Sequence, residues 1–126
     1  MSNFVTTELK RWTTSCGLPA IIRRNNAIGI LCGYVEVPVW HSMFEVLCKV
    51  GGDDVYPDVH GGITFFEHNN GRDVLTYGFD CGHYGDKLNI LRGIPGFGDG
   101  VERDELFVFV ECEILALQLS RLEFDL

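Results

Sequence analysis

The segment ITFFEHNNGRDVLTYGF, residues 63–79, constrains the fold of this 126-residue chain more than any other. Two runs rich in β-branched and aromatic residues flank Asn69-Asn70-Gly71. Asn and Gly accept the positive φ that a tight turn demands, so an antiparallel hairpin is predicted here. Its far ends then lie side by side, His60–Gly62 at the start of one strand and Asp80–His83 at the end of the other.

The remaining elements are read around that hairpin. PAIIRRNNAIGILCGYVEVP (residues 19–38) holds two β-type runs about Asn25-Asn26, which place a turn at residues 24–27 and end at Pro38. In VWHSMFEVLCKV (39–50), Val39, Met43, Val46, Leu47 and Val50 recur at helical spacing, and Pro38 suits a first turn. Residues 51–62 and 93–100, dense in Gly, Asp and Pro, read as loops. LFVFV near the end resembles a strand taken alone, but ECEILALQLSRL consists of helix formers and Asp104 suits a cap. One long helix is predicted, with Glu111 and Gln118 seven residues apart on one face. The expectation is a single α+β domain over residues 1–126. It comprises an antiparallel sheet of about four strands, a carboxy-terminal helix packed on it and one short additional helix.

Composition excludes several functions. The chain is 46% hydrophobic, enough for a core, and its net charge of −8 is wrong for coating nucleic acid. A compact anion held by a few local Arg or Lys, or a basic protein surface, remains compatible with it. The five cysteines are scattered, with no CxxC pair, as expected of free thiols in a reducing cytoplasm. No apolar run suits a signal core or a membrane span. Nothing in the sequence decides for or against a homodimer.

Candidate chemistry gathers at strand ends. In VHGGIT, His60 precedes Gly61 and Gly62, whose backbone amides a ligand can approach. In YGFDCGHYGD, Asp80, His83 and Asp86 recur every three residues beside Cys81. These types serve general acid–base work or metal ligation, and equally the Asx turns of a glycine-rich bend. Hairpin pairing makes the two stretches walls of one pocket. Arg23 and Arg24, placed at a turn, could supply a cation for phosphate, with Lys87 and Arg92 further along. His41 is a further candidate, and His68 reads as a turn residue. Cys81 acts as a nucleophile only if its pKa is lowered. The binding set is therefore His60, Gly61, Gly62, Asp80, His83, Asp86, Arg24 and His41. For an enzyme, the catalytic set would be His60, His83 and Asp80. No cofactor is expected and no metal ligand is assigned; the absence of an HxxxH, HxHxD or paired HxT/S signature counts against a hydrolase, which would use His/Asp acid–base or metal chemistry.

The runs GLPAIIRRN, LCGYVEVP, VHGGITF, YGFDCGHYGD and the terminal ExxxLAxQL resemble a family of small bacteriophage and bacterial proteins with HGG(I/L)T and FDCxHxGD elements. Carried over by position, His60, Gly61 and Gly62 match the first element. Phe79, Asp80, Cys81, His83, Gly85 and Asp86 match the second. The chain departs from that pattern between Pro38 and Asp58, where a loop containing G-H-P is replaced and His41 alone is retained. The resemblance implies a host cytoplasm and no particular activity. Three readings follow. The first is a binding module that sequesters a nucleotide-derived host immune signal. The second is a hydrolase of such a nucleotide, and the third is a protein-binding inhibitor of a host defence enzyme.

Overall fold

The computed structural model describes residues 6–50, 57–69, 71–82 and 103–121. Its elements run β1 (Thr6–Thr13), β2 (Pro19–Asn25), β3 (Leu31–Pro38), α1 (Phe44–Val50), β4 (Phe65–Asn69), β5 (Val74–Asp80) and α2 (Glu105–Arg121). The strands form one antiparallel sheet in the order β1-β2-β3-β5-β4. The architecture is α+β, with one strand more than the sequence suggested.

That strand is β1, TTELKRWT, an edge strand whose burial shows no apolar alternation. Pairing with β2 and a docked Trp12 hold it instead. The indole stacks on Phe109 with centroids 4.7 Å apart, and Trp12 Nε1 donates to Glu113 of α2 at 2.8 Å.

Side-chain alternation gives the sheet two unlike faces. One carries Ala20, Ile22, Val35, Val37, Leu75, Tyr77 and Phe79, which meet Val108, Cys112, Leu115, Ala116 and Leu119 of α2 in the core. A Cβ on Gly33 would lie 2.6 Å from the Phe79 ring and 2.7 Å from Cys112 Sγ, so this glycine sets how closely α2 approaches the sheet. α1 lies on the same face, burying Phe44 and Leu47. Among the described elements neither helix covers the second face, which carries Ile21, Arg23, Cys32, Tyr34, Glu36 and Thr76.

Local readings shift by a few residues. Arg23 and Arg24 lie inside β2, opposite Cys32 and Leu31, and the turn follows them. Asn25 Oδ1 accepts from Ala27 N–H at 2.9 Å, and Gly29 has φ +78°. α1 begins at Phe44, not Val39, and Pro38 closes β3. His41 makes the transition: its Nδ1 accepts from Met43 N–H at 3.1 Å. α2 forms as one helix, with Asp104 Oδ1 accepting from Phe107 N–H at 2.9 Å as its cap. The hairpin forms as expected, with Asn69 opposite Val74 and Phe65 opposite Gly78.

Candidate functional site

The loop carrying His60 is bound to α2 through its backbone. Gln118 exchanges two hydrogen bonds with Asp58: Asp58 N–H donates to Oε1 at 2.6 Å, and Nε2 donates to the Asp58 carbonyl at 2.9 Å. Glu111 Oε1 accepts from His60 N–H at 2.8 Å. The shared face of Glu111 and Gln118 therefore serves as a latch for this loop. Gly61 and Gly62 have φ of +68° and +78°, a conformation that side chains oppose. The His60 ring packs edge-on against Phe107, centroids 5.1 Å apart, on the helix side of the sheet.

Asp80 takes the other side. It lies opposite Cys32, Oδ2 accepts from Thr64 Oγ1 at 3.1 Å, and Oδ1 accepts from Gly82 N–H at 2.9 Å. The hairpin ends thus meet at Thr64 and Asp80, four residues after His60. His83 and Asp86, with Lys87 and Arg92, lie outside the described residues. His41 follows Pro38, which is six pairs along β3 from the Cys32–Asp80 pair, or about 20 Å at strand rise. Arg24 is exposed and shares the helix-side alternation of Ala20 and Ile22. Its neighbour Arg23 points to the opposite face.

That opposite face holds a cavity of about 730 Å³, lined by residues of every strand from Thr6 to Thr76 and by Arg72. Its size suits a small organic ligand. Tyr34 and Phe65 form an edge-to-face pair, centroids 5.5 Å apart, at its wall. Gly78 makes room for this, because a Cβ there would lie 2.6 Å from the Tyr34 ring. Glu36 is 7% exposed and meets the exposed Arg72 guanidinium at 3.6 Å. Arg23 reaches Thr6 Oγ1 at 3.3 Å and Glu8 at 3.6 Å. Burial, followed by the Asp80 charge, pushes the Cys32 thiol up to about 11. Burial, followed by the charge of Cys32, pushes the Tyr34 phenol up to about 12. Both groups are neutral hydrogen-bonding surfaces at neutral pH.

No described residue of the binding set expected from the sequence lines this cavity; Asp80 shares its face, opposite Cys32, but lies outside the lining. The available signal was LCGYVEV in β3, where Cys32, Tyr34 and Glu36 alternate with core residues. Among the described residues no three His, Cys, Asp or Glu side chains converge as a metal site requires. No described helix is long and apolar enough to cross a membrane. Comparison with protein-family models, curated proteins and solved structures returned no match.

Proposed function

We propose that this chain is a binding module for a small, planar, anionic ligand of nucleotide type, held on the open face of the sheet. One observation carries the reading: a cavity of about 730 Å³ brings the Tyr34–Phe65 pair together with the guanidinium groups of Arg23 and Arg72. An aromatic wall takes the base, since every base has a π-face, and Arg takes phosphate with directed N–H donors. Glu36 and Thr76 supply hydrogen-bonding groups for sugar or base edges. The bacteriophage setting that goes with the motif resemblance makes a host defence signal the natural ligand. Sequestration is the corresponding role.

The test is equilibrium binding of a panel of cyclic and ADP-ribose-type nucleotides, followed by analysis of the ligand released on heat denaturation. Intact ligand is the expected product, and Arg72→Ala and Tyr34→Ala each weaken binding by roughly tenfold or more. A chemically altered ligand replaces sequestration with hydrolysis. No binding by the wild type overturns both.

A separate observation favours the protein-binding reading. Leu106, Val110 and Ile114, 69%, 45% and 41% exposed, recur every four residues along the outer side of α2. Such a stripe on a helix is a recognition surface when a partner covers it.

A further inference from the structure

Glu36 places a carboxylate on the floor of the open-face cavity, with its side chain only 9% exposed. Its ion pair is with the Arg72 guanidinium at 3.6 Å, too long for a hydrogen bond, and that guanidinium is itself 60% exposed. Among the described residues no group donates a hydrogen bond to the Glu36 carboxylate. Burying a carboxylate is costly unless donors surround it. A ligand that brings N–H groups to this floor supplies what the protein leaves out.

Strand pairing fixes where Glu36 stands among the other binding groups. Cys32, Tyr34 and Glu36 alternate along β3 on the open face, each about 7 Å from the next. Arg23 is paired with Cys32 at one end of this series. Tyr34 and Phe65 are both paired with Gly78, so the aromatic pair forms the middle. Glu36 and Glu67 are both paired with Thr76, which makes the other end rich in acceptors. A nucleotide has the same linear order: phosphate, sugar, base, and a Watson–Crick edge farthest from the phosphate. With phosphate on Arg23 and the base against Tyr34 and Phe65, that edge meets Glu36.

A carboxylate only accepts hydrogen bonds. Guanine presents two adjacent donors on its Watson–Crick edge, N1–H and the N2 amino group, which match two carboxylate oxygens. Adenine presents one donor, its N6 amino group, beside the N1 lone pair that a carboxylate repels.

We propose that Glu36 selects the base, and that the open face takes a guanine nucleotide whose N1–H and N2 amino group donate to the Glu36 carboxylate. This assignment, which rests on the nucleotide reading of the cavity, names the base that the reading leaves open. Arg72 approaches Glu36 from beyond the acceptor row. Five N–H donors let a guanidinium hold the carboxylate and a second phosphate together.

The experiment is equilibrium binding, to the full chain, of matched guanine and adenine ligands: cyclic GMP and cyclic AMP, cyclic di-GMP and cyclic di-AMP, GDP-ribose and ADP-ribose. In each pair that binds, the guanine member is expected to bind about 10- to 100-fold tighter, the worth of one bidentate contact. Cyclic IMP, which keeps N1–H and lacks the amino group, falls between cyclic GMP and cyclic AMP. Glu36→Gln, its fold checked by near-ultraviolet circular dichroism, presents an amide that donates to adenine N1 and accepts from N6. The guanine preference then shrinks to within about threefold or reverses, whereas a merely structural role for Glu36 would weaken both members of a pair alike. Equal affinity for guanine and adenine ligands in the wild type overturns the assignment and leaves the binding module standing, and so does an unchanged preference in folded Glu36→Gln. Failure of every one of these nucleotides to bind overturns both. Should Glu36→Gln fail to fold, the wild-type preference and the rank of cyclic IMP decide.

Discussion

Tyr77 occupies a core position, between Phe66 and the residues under α1, where phenylalanine would fill the same space. Its hydroxyl has left water and gained no partner among the described residues, a cost of about 1–3 kcal/mol. Tyr77→Phe should therefore raise unfolding free energy in urea by about 1 kcal/mol, whereas most core substitutions lower it. A decrease would mean that the hydroxyl has a partner in solution and contributes to stability. Gln118 is the converse case, a buried polar group whose amide is engaged by Asp58 and, at 3.4 Å, by the Ile114 carbonyl. Gln118→Leu keeps the volume and removes both bonds to Asp58, leaving the Asp58 backbone without its side-chain partner. Amide exchange at Asp58 and His60 should accelerate by roughly tenfold, while the sheet amides of Ile22 and Val35 stay protected.

At the scale of elements, Gly33 decides how α2 seats on the sheet. The space a side chain would need is already filled by Phe79 and Cys112. Gly33→Ala should cost about 1–3 kcal/mol and lower the thermal midpoint, without changing the open face that Tyr34 and Glu36 present. Gly78 is its counterpart on that face, where a methyl group would push Tyr34 toward the cavity. These two positions also show why the fold was more legible than the site. The hairpin, α2 and its Asp104 cap follow from local propensity and turn chemistry, which act within a few residues. β1 left no such trace, because Trp12 and Glu113 are joined only after folding brings them together across 101 positions. The cavity was hidden in the same way. Cys32, Tyr34 and Glu36 look like the solvated side of a strand until pairing sets Phe65, Arg23 and Arg72 around them. Asp80 does end β5, but His60 lies in the loop five residues before β4, and the two side chains take different faces.

The whole molecule couples its buried thiols and phenols to alkaline pH. Burial first, and then the carboxylates Glu113 and Glu111, push Cys112 from 9.0 up to about 12, and Cys32 rises to about 11. Tyr34 rises to about 12, and Tyr77 is raised as well. Each of these groups loses its proton more readily in the unfolded chain than in the folded one. Their contribution is therefore complete below pH 9 and is lost as pH climbs through the interval up to the folded values. Cys112, fully buried, gives the cleanest term, a slope of about 1.4 kcal/mol per pH unit once the unfolded thiol has ionised. Urea titrations at successive pH values should show unfolding free energy flat near neutrality and falling from about pH 9 upward. Cys112→Ala is less stable throughout because of the cavity it leaves, but its alkaline limb should be shallower. Self-repulsion of a chain carrying −8 bends the curve in the same direction, and added salt separates the two. Surface repulsion is screened, whereas the slope set by buried thiols persists. A wild-type curve that stays level from pH 9 to 11, or a Cys112→Ala limb as steep as the wild type, would remove buried-group ionisation as the cause.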